Sequence, residues 1–239
     1  MELGISAVTR VVRCGLGSGV LVLAVNLASP VSASAGVPYR VVDLNSQPNP
    51  RLGSDPTQMV SFGNRVIFST ANLPDGITLR RAALWSTDGT PEQTREIMPF
   101  SGVPMFLTVA GPYVYFLVGN GVAGSGRQTV LWRTDGSAAG TAPLHTAVSI
   151  GNLTAVGDEV AFVADEGEGP ALHFGSVAAG TRLVRSAVGS VQHAVAAGGR
   201  LFFMNAHGFP TEMYELWSSD GTAEGTLRLA ALTGVPSRL

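Results

Sequence analysis

Four histidines and one acidic loop are the residues whose types could carry acid–base or metal chemistry in this chain. The histidines are His145, His173, His193 and His207. Imidazoles titrate near neutral pH and ligate metals. No two of them, however, lie at the i, i+4 spacing that sets two rings on one helix face, and no Cys/His cluster surrounds them. Asp165, Glu166 and Glu168 share one Gly-rich stretch, Asp165 to Pro170. Paired carboxylates can move protons or hold Ca²⁺, but this stretch lacks the ligand pattern of a calcium loop and reads as a solvated one. Gly119-Asn120-Gly121-Val122-Ala123-Gly124 spells G-x-G-x-x-G. The helix whose N-terminus would hold a pyrophosphate does not follow, so it reads as a loop between strands. Serines are abundant, yet no G-x-S-x-G elbow occurs. The expectation is a chain with no catalytic, cofactor-binding or metal-ligating residue.

What must position any site is a repeat. All three tryptophans sit in one motif: Leu84-Trp85-Ser86-Thr87-Asp88-Gly89-Thr90, Leu131-Trp132-Arg133-Thr134-Asp135-Gly136-Ser137 and Leu216-Trp217-Ser218-Ser219-Asp220-Gly221-Thr222. Gly140-Thr141 and Gly225-Thr226 close two copies, and Gln93-Thr94 stands there in the first. A worn copy, Leu172-His173-Phe174-Gly175-Ser176, runs on to Gly180-Thr181 and has lost the Trp and the Asp. Upstream, Gly63, Gly111, Gly157 and Gly198 are each followed five positions later by Phe68, Phe116, Phe162 and Phe203. Two independent landmarks keep one rhythm of roughly 40–50 residues, the period of propeller blades.

Each repeat reads as four strands. Strand a leads into the Gly turn, strand b carries the Phe, strand c carries Leu-Trp, and the Asp-Gly turn opens strand d. Gly supplies positive φ at the first turn, and Asp accepts backbone N–H bonds at the second. Adjacent Leu and Trp point to opposite faces of a strand, one toward each neighbouring blade. The motif residues, His173 in the worn copy included, are therefore structural. Tyr113, Tyr115, Phe209 and Tyr214 lie on strand b or in the loop before strand c. Such rings could line a rim that stacks on sugars or peptides, or pack between blades.

The pattern Leu-Trp-x-x-Asp-Gly-Thr-x-x-Gly-Thr after a Gly-x4-Phe unit resembles the bacterial ELWxxDGT repeat proteins. Glu215 to Thr222 matches the name motif in full, whereas Ala83 and Val130 replace the Glu in the first two copies. The resemblance spans about Tyr39 to Leu229. It implies an exported, propeller-like repeat array and brings with it no established activity or catalytic residue.

The expected fold is all-β: a propeller-like array of four four-stranded blades, covering about 53–98, 101–145, 148–185 and 190–230. An extra N-terminal strand is expected at Tyr39 to Leu44. Residues 1–35 read as a signal peptide. Arg10 and Arg13 precede an apolar run from Gly15 to Ala28, and Ala33-Ser34-Ala35 places cleavage before Gly36. Cys14 is the only cysteine, so the mature domain of residues 36–239 would hold no disulfide, cysteine–zinc site or thiol nucleophile. All 15 basic residues are Arg, and the formal charge of −2 offers no general attraction for nucleic acid or anionic lipid.

Together these features point to a non-catalytic binding or scaffolding module outside the cytoplasm, periplasmic, secreted or at the cell surface. Its ligand would be a glycan or a protein, with no nucleic acid and no membrane once the leader is cleaved. Self-association through blade edges is a further expectation. Two alternatives remain open: a propeller-based carbohydrate-active hydrolase or lyase, and a truncated array without independent activity.

Overall fold

The computed structural model describes residues 55–72, 81–120, 128–186, 188–207 and 213–232. The leader expected at residues 1–35, the strand expected at Tyr39 to Leu44, and Phe209 lie outside them. The described residues form sixteen strands in four antiparallel sheets, each ordered as the chain runs. Blade 1 holds β1 (Pro56–Phe62), β2 (Arg65–Asn72), β3 (Arg81–Thr87) and β4 (Arg95–Phe100). Blade 2 holds β5 (Met105–Ala110), β6 (Tyr113–Asn120), β7 (Gln128–Thr134) and β8 (Ala142–Ala147). Blade 3 holds β9 (Ser149–Val156), β10 (Glu159–Asp165), β11 (Pro170–Ser176) and β12 (Gly180–Arg185). Blade 4 holds β13 (Ser190–Ala197), β14 (Arg200–His207), β15 (Met213–Ser219) and β16 (Leu227–Leu232). The four blades fall on the four repeats read from the sequence.

Local chemistry accounts for the hairpins. Between the first two strands of each blade, Gly63, Gly111, Gly157 and Gly198 take φ of 60°, 54°, 61° and 56°. That left-handed backbone costs glycine little and suits a two-residue hairpin turn. At the Asp-Gly turns, the Oδ1 of Asp88, Asp135 and Asp220 accepts the backbone N–H of Thr90, Ser137 and Thr222 at 2.9–3.0 Å. The same oxygen accepts each hydroxyl at 2.7 Å. A second clasp joins the residue before the Asp to the last Thr of the motif: Thr87 to Thr94, Thr134 to Thr141 and Ser219 to Thr226, at 2.6–2.7 Å. Thr94 thus fills the closing role in the first copy, where Gln93 replaces the Gly.

These hydrogen bonds hold the Asp88, Asp135 and Asp220 carboxyls below the usual carboxylate range, with the Thr90, Ser137 and Thr222 hydroxyls as the main cause. A carboxyl whose folded pKa is depressed stabilises the fold fully above its unfolded value, about 3.9 for Asp. That stability is lost as pH falls through the folded value. Thermal melts followed by circular dichroism are expected to show a flat midpoint from neutral pH to about pH 5 and a fall below about pH 4. A midpoint that rises on acidification would contradict the turn chemistry.

The packing layers follow from one register shared by all blades. Phe68 pairs with Trp85, Phe116 with Trp132, Phe162 with His173, and Phe203 with Trp217. In each blade the pairing of the third and fourth strands shifts directly after the motif Leu, between it and the next residue. Leu and its neighbour face opposite sides, as successive residues of a strand do. Ile67 and Leu84 of blade 1 meet Val114, Phe116, Val118 and Trp132 of blade 2 in one core. Tyr115, Leu117 and Leu131 of blade 2 meet Val160 and Phe162 of blade 3 in a second. Ala161, Leu172 and Phe174 of blade 3 meet Leu201, Phe203 and Trp217 of blade 4 in a third. The Leu face of blades 1, 2 and 3 therefore meets the face of the next blade that carries the Phe and its Trp or His partner. Among the described residues, four blades share three cores, and none joins blade 4 to blade 1.

Candidate functional site

Three copies of the Phe–Trp stack are nearly superposable in their geometry. Ring centroids lie 6.2, 6.4 and 6.3 Å apart with planes inclined by 18°, 16° and 17° for Phe68–Trp85, Phe116–Trp132 and Phe203–Trp217. His173 takes the indole's place in blade 3, stacked on Phe162 at 5.3 Å and 21°. The motif Glu is structural as well, since Glu215 Oε2 accepts the Trp217 Nε1–H at 2.9 Å. Where Ala83 and Val130 replace it, the Trp85 and Trp132 Nε1 atoms are buried without a hydrogen-bond partner.

The exposure of equivalent positions distinguishes blade 4. Leu84, Leu131 and Leu172 are 0–2% exposed, and so are Ile67, Tyr115 and Ala161 on the same face one strand over. Their counterparts Leu216 and Phe202 are only half-buried. Beside them, Val195 is 62% and Leu227 55% exposed. Val195 pairs with Phe202, and Phe202 with Ser218, itself opposite Leu227, so these side chains share the face turned away from blade 3. At the other end, the Phe68–Trp85 stack lies on the face of blade 1 turned away from blade 2. Trp85 is half-buried there, and Met59, paired with Phe68, is 67% exposed while Phe68 itself is buried.

Polar staples reinforce the junction of blades 3 and 4. Arg182 makes two hydrogen bonds to Glu159, at 2.6 and 2.8 Å, and donates from Nε to the Gly221 carbonyl at 2.9 Å. The Arg182 bonds hold the Glu159 carboxyl below its ordinary value and raise the guanidinium's. Arg185 lies over the Trp217 ring at 4.1 Å.

The titratable groups singled out in the sequence converge at one place. His145 on β8 pairs opposite Leu131 and so faces blade 3. There it meets Phe162 at 5.4 Å and His173 at 5.2 Å between ring centroids. Glu166, in the loop between β10 and β11, brings its Oε1 to 3.0 Å from His145 Nε2. His145 Nδ1 lies 3.2 Å from Thr181 Oγ1. Burial, with the nearby His145, lowers the pKa of His173. Ligand atoms of His145, Glu166 and His173 all fall within 4.8 Å of one another. Sequence reasoning missed this cluster because 28 residues separate the two histidines and no motif spacing links them. The one available signal was the Trp-to-His change itself.

The remaining candidates do not join it. His193 is exposed on β13, and His207 lies 3.5 Å from Glu215. Asp165 caps its own loop, accepting the Gly167 and Gly169 N–H groups at 2.8 and 3.1 Å. Tyr115 is fully buried and Tyr214 is 7% exposed. Tyr113 is half-buried beneath the Arg133 guanidinium, 5.2 Å from the ring centre. Among the described residues these rings pack between and along blades, and no shared aromatic rim forms. Burial raises the pKa of the Tyr115 hydroxyl, partly offset by the Val177 backbone.

No family model matches the chain, and no curated protein is similar to it in sequence. Solved structures are similar in fold. The β-propeller domain of the Trilobed protease from Pyrococcus furiosus, described as having an open velcro topology, aligns with a TM-score of 0.50 and 6% identity. The alignment covers 74% of this chain and 57% of that one. Pyrococcus horikoshii acylaminoacyl peptidase aligns with a TM-score of 0.47 and 11% identity over 74% of this chain and 32% of that one. TolB from Acinetobacter baumannii gives 0.41 and 13% over 66% and 38%. This chain spans little more than half the length of the first of these. At such identities the likeness speaks to fold alone, and that fold is the β-propeller.

Proposed function

We propose that this chain is a non-catalytic, exported binding or scaffolding module of the ELWxxDGT type that works by docking blade against blade. The observation that carries the reading is the outer face of blade 4. Val195, Phe202, Leu216 and Leu227 are exposed or half-buried there, although the equivalent Leu and strand-b positions of the other three blades are fully buried. An apolar sheet face of this kind marks an interaction site.

A second copy of the chain is the partner that fits. Each internal junction joins a Leu face to the face carrying the Phe and its Trp or His partner, and the outer face of blade 1 carries such a pair in Phe68 and Trp85, beside Met59. Docking the two would repeat an interface the chain already makes twice, with a third version in which His173 stands for the indole. The contact is head-to-tail, so copies would close into a ring or run on into a filament. Covering each large exposed aliphatic side chain would contribute about 1.5–3 kcal/mol.

Sedimentation of the mature protein is expected to show concentration-dependent association. Val195→Lys with Leu227→Lys should abolish it without altering the circular dichroism spectrum, because both side chains already face solvent in the single chain. A wild-type protein that stays monomeric at the highest attainable concentration would overturn the docking reading.

A further inference from the structure

We propose that His145, Glu166 and His173 form a transition-metal site of the Zn²⁺ class that clips blade 2 to blade 3. The site is independent of the docking face on blade 4 and stands on different residues. His145 comes from the last strand of blade 2, and His173 and Glu166 come from the third strand of blade 3 and the loop before it. Their ligand atoms lie within 4.8 Å of one another. A tetrahedral centre with bonds of about 2.0–2.1 Å holds its ligand atoms roughly 3.3 Å apart. The His145 Nε2–Glu166 Oε1 pair, at 3.0 Å, is already at about that spacing, and rotation of the side chains has to draw in the rest from within 4.8 Å.

An unsatisfied polar atom points to an occupant. His145 Nε2 is buried and makes no hydrogen bond, despite lying 3.0 Å from the Glu166 carboxylate. The His173 ring, in a residue only 5% exposed, lies against both His145 and Phe162, at 5.2 and 5.3 Å between ring centroids. Buried polar groups in folded proteins almost always find partners. A cation between the three groups would give His145 Nε2 its partner and take Glu166 and His173 as further ligands. Two imidazole nitrogens and one carboxylate oxygen suit Zn²⁺ and similar first-row metals, whereas Ca²⁺ and Mg²⁺ prefer oxygen ligands throughout.

Thr181 supplies the supporting contact. A hydrogen bond on the second ring nitrogen orients a metal-ligating histidine, and Thr181 Oγ1 lies 3.2 Å from His145 Nδ1. In the other blades the equivalent hydroxyls, Thr94, Thr141 and Thr226, are taken up by the clasp to Thr87, Thr134 and Ser219. Gly175 occupies that partner position in blade 3, which leaves the Thr181 hydroxyl for His145. Two of the losses that make the third repeat look worn, the indole and the clasp hydroxyl, are thus changes that open this site. Three protein ligands leave a fourth position for water or for a group of a bound molecule.

The test uses the mature protein without a polyhistidine tag, stripped with a chelator. Zn²⁺ is titrated by calorimetry and Co²⁺ by visible absorption. One equivalent of each should bind, Co²⁺ with a tetrahedral spectrum, and Zn²⁺ should raise the melting temperature where Ca²⁺ and Mg²⁺ do not. His145→Ala and His173→Trp should each weaken Zn²⁺ at least about 100-fold, more than the loss of an outer-shell contact costs. His173→Trp installs the ring that the other blades stack on the same Phe, so it should still melt cooperatively in chelator. His193→Ala should bind as the wild type does. Absence of binding at micromolar Zn²⁺, or binding that His145→Ala and His173→Trp leave intact, would overturn the proposal.

Discussion

Replacing Trp217 with Ala is expected to destabilise the protein by about 3–5 kcal/mol, the range for deleting a large buried aromatic ring. The indole is 7% exposed and lies in the core shared by blades 3 and 4. It stacks on Phe203, carries the Arg185 guanidinium over its ring at 4.1 Å, and donates its N–H to Glu215. Truncation would open a cavity, strip the guanidinium of its ring and leave Glu215 with one donor fewer. Trp85→Ala is the matched comparison. Trp85 is half-buried on a face that no other described sheet covers, and its buried Nε1 has no partner to lose. Removing an unsatisfied donor offsets part of the lost packing, so this variant should cost about 1–2 kcal/mol, toward the low end for core truncations. Urea denaturation followed by circular dichroism measures both. Equal costs for the two variants would mean that the junctions are not what stabilises the array.

Gly221→Ala is expected to cost more than about 2 kcal/mol, beyond the roughly 1–2 kcal/mol that left-handed backbone alone imposes on an L-residue. Gly221 has φ of +87°. A Cβ at this position would sit 2.6 Å from Arg182 Nη2 and 3.0 Å from the Phe174 ring. The guanidinium would have to leave its two hydrogen bonds to Glu159 and its bond to the Gly221 carbonyl. Gly89→Ala provides the reference: its φ is +94°, but a Cβ there meets nothing within 4 Å. It should show the backbone cost alone. Loss of stability that is the same at both positions in urea melts would show that the Arg182 staple contributes nothing to holding blade 4 on blade 3.

The repeat was legible because its determinants are local. A Gly that can take positive φ, a Phe five positions on, and an Asp that caps the turn two residues ahead act within a few positions of one another. Period-two alternation then assigns Leu and Trp to opposite faces. From these alone came the four blades, their boundaries, the paired roles of Leu84 and Trp85, and the reading of Asp88, Asp135 and Asp220 as turn formers. The role of Glu215 was not legible, although the residue sits in the motif. Alternation puts it on the same face as Trp217, two residues on, but whether a carboxylate there meets the indole N–H or solvent depends on rotamers and on what packs around them.

Chain order, turn type and blade count are thus written in short stretches of residues, each read without reference to the others. Contacts between blades are not. Leu216 looks the same as Leu84, Leu131 and Leu172 in the chain and differs only in having no described blade against it. Tyr115 reads as readily as a rim residue as a core one until blade 3 is placed over it. His145, Glu166 and His173 become neighbours because the outer strand of blade 2 packs against blade 3. Packing angle and register between sheets arise from the summed fit of many side chains far apart in the chain, and no local pattern encodes that sum.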